Sequence, residues 1–555
     1  MSKIQLAVHQ DDADILLKTR NVLSDPILDK YRLAGQITQT GLTYITSLIN
    51  DSYHLGKTGK LITVQELCIL TDSFVAKLLT RGYNSVKEKG ISSPTSVEVN
   101  ELVAGFSPEV DDDGEYVFSA GDVVTVSLGV QVDGYTANVS KTIVIYPAGN
   151  APAGPLVGAK ADAVCATHIA TEAMVGLLGL SLSPEKLPGH LAGSSVSGSV
   201  IRSMVDGIAD SFNCVVVPGS KIRRVRRFLA GQAEGIVAER DFKGVVWDES
   251  HQEERLLRKG TGTDLIVSEK SEYKSASNAT AVPTDEFIVV PGEVYQIDIR
   301  MVSLADINEA GLVTLEEVDQ FTGKNNKQEF NSKPTIHIRD FAMNHQLKLR
   351  SARKLLGEVD RKFSVYPFKL AYTSKHFPIN VDDSQTIPQQ IDDLKKDVGA
   401  NKLGLSEMSN RHLVKSKPIQ ITKFIPLEKI LLSANPTGKH GVDANKPVLP
   451  GMELPLPQLG VSSLKLKALL KSGQNIANVR ESTTVVISNL GNEVIRLTGG
   501  SAPSWVSSKF ELTGELKETI EQVVKLSRDE RFGVKVKIVK GLKVEGEKVE
   551  EMELA

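Results

Sequence analysis

The sequence predicts an α+β chain, on three observations. Apolar residues in the first hundred positions recur at helical spacing. After Ser93-Pro94 the pattern switches to strand-like alternation. Blocks of both kinds then follow one another almost to the C-terminal end.

Each element follows from its local pattern. Leu28 to Ile49 carries apolar positions every three to four residues, which predicts a helix. A second begins at "TVQELCILTDSFVAKLLTRGY", where Thr63 and Glu66 have the spacing of a capping box. The stretch "VVTVSLGVQVDGYTANVSKTIVIYP" (123–147) alternates on both sides of Asp133-Gly134 and predicts a hairpin. Helices are expected over Leu156 to Leu180 and Val200 to Phe212, and strands at "EGIVAER" and "EFIVVPGEVYQIDIRMVS". A second hairpin follows at "TTVVISNLGNEVIRLTGG", then a helix from Leu512 to Leu526 and a Lys/Glu-rich tail, 541–555, expected to be flexible. Residues 247–284 and 376–462 are polar or Pro/Gly-rich and read as insertions. The expected organisation is one domain, with helices over 1–90 and a core of 91–375 and 463–540.

Composition excludes little but points in one direction. With 41% hydrophobic and 24% charged residues and a formal net charge of −3, bulk charge does not argue for nucleic acid. Cys68, Cys165 and Cys214 lack metal-ligand spacing and are too few for a disulfide framework, so a reducing compartment is expected. No apolar run was expected to approach the roughly 20 residues that cross a bilayer, and Asp11, Asp12 and Asp14 interrupt the amino terminus. The expectation is a soluble, intracellular protein with no membrane partner.

Two local features invite a functional reading. Ser127 and Asn138 stand eleven residues apart across the hairpin turn, where a hairpin of this kind could hold a pair of acids. Further on, "GSKIRRVRRFLAGQ" places Lys221, Arg223, Arg224, Arg226 and Arg227 within seven positions. As a strand this run would divide its cations between two faces, so an exposed patch is expected. Its readings are a solvated charge run, a nuclear localisation signal, or contact with RNA phosphates through guanidinium forks.

The order of motifs resembles the methionine aminopeptidase family, and most closely its type 2 branch. The residues that carry the resemblance are "SSPTSVEVNELVAGFSP", "GDVVTVSLGVQVDGYTANVSKTIVIYP", "FLAGQAEGIVAER", "VPGEVYQIDI" and "STTVVI". The resemblance implies a pita-bread fold, an antiparallel sheet lined by helices, with a dinuclear metal site on the concave face of the sheet. Carried over residue by residue, the family's substrate-facing histidine falls on Gly105 and its first two metal-binding aspartates on Ser127 and Asn138. Its histidine ligand falls on Gln232, a second histidine on Arg240, and its two glutamates on Asp298 and Ser482. A one-residue shift would offer Glu481 in place of Ser482.

Four carboxylates and a histidine thus become one carboxylate, two amides and two hydroxyls. Such a set cannot offset the dehydration of two divalent cations, so no dinuclear centre, no cofactor and no peptidase activity are expected. The readings left for Ser127, Asn138 and Gln232 are satisfied polar residues, a remnant pocket for a peptide end, or a re-purposed hydrolase. Arg300, two residues along the same strand face, is the expected partner of Asp298.

Within that family the chain is similar to a metal-less fungal branch, through "KYRLAGQITQT", "VPGSKIRRVRRFLAGQAEGIVAE" and "LPLPQLGVSSLKLKALL". That likeness implies a ribosome-assembly and export factor of the large ribosomal subunit precursor. Its partners would be rRNA and ribosomal proteins near the polypeptide exit tunnel, other assembly factors and Phe-Gly-repeat nucleoporins. It would shuttle between nucleus (nucleolus, nucleoplasm) and cytoplasm. The rivals are an active metallo-aminopeptidase and a metal-free binder of peptides or nascent chains.

Overall fold

A computed structural model describes residues 15, 18–82, 86–114, 116–228, 243–249, 251–252, 255, 266–267, 286–318, 333–383, 385–434, 441–442 and 463–542. Its centre is a ten-stranded sheet. We number its strands β1 (Lys89–Val99), β2 (Val123–Val132), β3 (Tyr135–Val144), β4 (Cys214–Val216), β5 (Lys221–Val225), β6 (Gly244–Val246), β7 (Val294–Ser303), β8 (Val479–Ser488), β9 (Glu493–Arg496) and β10 (Lys535–Ile538). The main path runs β1-β2-β3-β8-β7-β5-β6, with β9 on β8, β10 on β9 and β4 on β7. Every pairing is antiparallel except that of β9 with β10.

Alternation along the strands decides which face each residue meets. In β2, Val124, Val126, Leu128, Val130 and Val132 enter the core, and the intervening Thr125, Ser127, Gly129 and Gln131 face the other way. The helices on the apolar side are α1 (Asp25–Ile49), α2 (Val64–Arg81), α3 (Ala159–Leu180), α4 (Gly198–Ser211) and, near the end of the chain, Lys517–Leu526. Thr63 caps α2 as the sequence predicts: its side chain accepts from the Glu66 amide, and the Glu66 carboxylate accepts from the Thr63 amide. At the hairpin turn Asp133 and Gly134 both have positive φ, 54° and 83°, the geometry that a two-residue connection requires.

Several expectations are corrected. Helix α3, of 22 residues, is long and apolar enough to cross a membrane, contrary to the sequence reading. Most of its apolar window, 78%, is buried, against β7, β8 and α4. The last helix is Lys517–Leu526, shorter than expected, because Gly514 precedes it with φ +85°.

Residues 376–462 do not form one excursion. Helices α5 (Arg350–Lys362) and α6 (Ile387–Asn410) pack together, and their cluster of Leu355, Val359, Leu394 and Val398 rests on Ile69 and Leu70 of α2. Gln420–Pro426 is instead the central strand of a second sheet, between Gly311–Glu317 and Gln474–Asn475. Of 247–284, only 247–249, 251–252, 255 and 266–267 are described, and Gln252 there is buried, bonded to both backbone groups of Val313.

Candidate functional site

The family's centre positions lie on the sheet face opposite α3. Register brings them together: Ser127 stands across from Ser140, Ser140 from Ser482, and Ser482 from Asp298. What fills the centre is a cation that the sequence reading missed. Arg480, also opposite α3, meets Asp298 at two points, Nε to Oδ1 at 2.7 Å and Nη2 to Oδ2 at 2.9 Å. Its Nη1 reaches Ser127 Oγ at 3.4 Å. Arg300 adds the expected contact, Nη2 to Asp298 Oδ2 at 3.2 Å.

The charges around this pair are few and closely placed. Burial alone would raise the Asp298 pKa, but the Arg480 and Arg300 guanidiniums hold it well below the usual carboxylate range. The Ser127 hydroxyl donates to Oε2 of buried Glu98 at 3.4 Å. Desolvation pushes Glu98 up despite the opposing pull of Arg480. Lys417 is pulled down to about 8 by desolvation and then by the Arg480 charge.

The other positions are satisfied within the fold. Asn138 Oδ1 accepts from the Ser92 hydroxyl at 2.8 Å, and Ser482 donates to Ser140 at 3.1 Å. Gly105 has φ +82°, and a Cβ there would come within 2.5 Å of the Pro418 carbonyl oxygen, so this backbone has no room for the family's histidine. Gln232 and Arg240 lie outside the described residues.

These residues do not fit two metal ions. The one carboxylate among the described family positions already shares both oxygens with Arg480 and Arg300, and a divalent ion there would face two guanidiniums. The alternative register is also excluded, because Glu481 points to the opposite face, toward α3. There His168 Nδ1 lies 3.1 Å from Glu481 Oε2. Glu172, one turn along α3, pairs with Arg496, whose Nη2 lies 3.6 Å from Glu481 Oε1. Ligand atoms of His168, Glu172 and Glu481 all lie within 4.8 Å of one another, close enough for a single cation, which would have to displace Arg496 from both carboxylates.

The basic run proves to be enclosed. Strand β5 is an interior strand between β7 and β6, and Arg223 is buried. Arg224 and Arg226 converge on Glu293, at 3.5 and 2.7 Å. Arg227 binds Asp133 Oδ1 at 2.6 Å and lies over the Phe228 ring. Lys221 stands across from Asp298 and adds to the positive charge there. The expected exposed phosphate-binding patch is therefore corrected: acids distant in sequence claim its cations.

A large antiparallel sheet, lined by helices on one face and carrying Ser127, Asn138, Asp298 and Ser482 on the other, defines a pita-bread protein of the creatinase/aminopeptidase class. No family model matches the chain. It is 64% identical over 553 residues to "Probable metalloprotease ARX1" of Candida albicans, covering 98% of each chain. It is 45% identical over 579 residues to the protein of that name from Saccharomyces cerevisiae, covering 97% of each. A solved structure described as "Structure of a thermophilic Arx1" superposes with a TM-score of 0.54 at 17% identity, over 90% of this chain and 98% of that one, and shows the fold. The chain belongs to this methionine aminopeptidase-like ARX1 family. The relatives' names correct the expectation of a chain without enzymatic activity: they are called probable metalloproteases.

Proposed function

We propose that this protein binds the precursor of the large ribosomal subunit and accompanies it from nucleus to cytoplasm. Its contacts would be rRNA, ribosomal proteins near the exit tunnel, other assembly factors and Phe-Gly-repeat nucleoporins. The observation that carries the reading is the α5–α6 unit, which packs on α2 and turns to solvent a row of cations that have no ion-pair partner among the described residues. A polyanionic particle suits such a surface. The test is cosedimentation of the purified protein with large-subunit precursors at near-physiological salt, and an absence of association at micromolar protein would sink the reading.

A second reading follows the relatives' name. His168, Glu172 and Glu481 form a candidate site for one divalent cation, and peptide hydrolysis would depend on it. Metal analysis of protein purified without chelator, with turnover of Met-initiated peptides by the native chain and by His168→Ala, tests this reading. Bound metal and hydrolysis, both lost in the variant, would support it; full activity in the variant would remove these residues from the site.

A further inference from the structure

The exposed face of α5 is rich in cations. Its apolar stripe, Ala352, Leu355 and Val359, is buried against α6 and the α2 side of the core. Arg350, Lys354 and Arg361 form the opposite stripe, flanked by Lys348, Arg353 and Lys362, and all six are exposed. From Arg350 to Arg361 the stripe spans roughly 16 Å at 1.5 Å per residue. In its middle is Gly357, where an added Cβ would meet nothing, so the helix backbone is bare there.

Three neighbouring acids, Glu407, Asp360 and Asp340, are engaged away from this row, while Glu358 stands on α5 beside Lys354 and Arg361. Both Glu407 oxygens accept backbone amides at the start of α5, from Lys348 at 2.6 Å and Leu349 at 2.8 Å. Asp360 binds Arg339 at 2.8 Å, and Asp340 binds Lys415 at 3.1 Å. Arg353 donates to the Leu347 and Lys348 carbonyls, at 2.9 and 2.8 Å. Among the described residues Lys348, Arg350, Lys354, Arg361 and Lys362 have no ion-pair partner. The chain as a whole carries −3, so this row is a local excess and not part of a basic background.

We propose that this face of α5 docks on the phosphate backbone of structured RNA. The inference rests on the reading above and names the surface and the chemistry of its contact. Cations one and two helical turns apart, without interleaved aromatics, suit backbone contact and not base stacking. A lipid surface does not fit, because the apolar stripe that would enter it is already used in the core.

The test uses full-length protein, the variant Arg350→Glu/Lys354→Glu/Arg361→Glu, and a control, Lys395→Glu/Lys396→Glu/Lys402→Glu, on the exposed face of α6. Binding to a short RNA duplex is measured over a salt series, with cosedimentation on large-subunit precursors in parallel. Each lost phosphate contact should reduce the slope of log K against log salt by about 0.9, so the α5 variant should lose about 2–3 from the slope and at least tenfold in affinity. The α6 variant should behave like the native chain. Unchanged RNA affinity and slope in the α5 variant would overturn the surface assignment, even if the native chain cosediments with particles. Loss of particle binding by the α5 variant, with no RNA binding by the native chain, would overturn RNA in favour of an acidic protein. If RNA binding behaves as expected but no association with particles is found, the reading of function fails and this surface stands.

Discussion

Arg480 meets Asp298 through two parallel contacts of 2.7 and 2.9 Å, on the sheet face where the methionine aminopeptidase fold carries its metal centre. The two residues are 182 positions apart in the chain and come from the neighbouring strands β7 and β8. The Asp298 side chain is 1% exposed, so its charge depends on this pairing. Arg300 and Ser127 complete the surroundings, and the polar interior of the sheet face is organised around one carboxylate.

Removing either partner should therefore be costly. Asp298→Asn leaves two guanidiniums facing a neutral amide and should destabilise the fold by about 3–5 kcal/mol. Arg480→Met should do the same, and the double variant should recover much of the loss. Urea midpoints at constant slope provide the measurement. Single variants within about 0.5 kcal/mol of the native chain would show that the pair is not structural.

Glu98→Gln should act in the opposite direction. The folded state raises the Glu98 pKa, so it retains a proton that the unfolded chain has lost. Stability then declines as pH rises from the unfolded value of roughly 4.3 through the folded one. The glutamine variant should match the native chain at low pH and be at least as stable at pH 7. A variant less stable at pH 7 than at pH 4, relative to native, would contradict the assignment.

His168 titrates in the other sense. Desolvation alone would lower its pKa, but Glu481 raises it above the ordinary value. Its contribution is full below the unfolded pKa of roughly 6.5 and is lost as pH rises through the folded value. His168→Gln should flatten the stability profile across that window, and NMR titration of the native imidazole should give a midpoint above the ordinary value. A midpoint below it would refute the Glu481 contact.

Gly105→Ala tests the backbone. At φ +82°, with a carbonyl 2.5 Å from the new carbon, alanine should cost about 1–3 kcal/mol from conformational strain before any shift of Pro418. A neutral substitution, read by thermal unfolding, would mean that the loop relaxes freely.

Much of this was legible in the sequence, and the rest was not for physical reasons. The Asp133-Gly134 turn and the Thr63 cap depend on residues within a few positions of each other, so local chemistry was enough. The Asp298–Arg300 pair shares one strand face and was also readable. Arg480 was not, because period-two reasoning gives a residue's face and not its partner across the sheet. The run from Lys221 to Arg227 failed for the same reason: Glu293 and Asp133 are distant in sequence but adjacent in the fold. The α5 row could have been found from helical spacing, since Arg350, Lys354 and Arg361 repeat at intervals of four and seven.

The central claim is association with the large ribosomal subunit precursor, and its most direct measurement is sedimentation of the full-length protein through a sucrose gradient with purified precursor particles at near-physiological salt. The account predicts that the protein migrates with the particles and is released as salt is raised. Protein remaining at the top of the gradient at every salt concentration would contradict it.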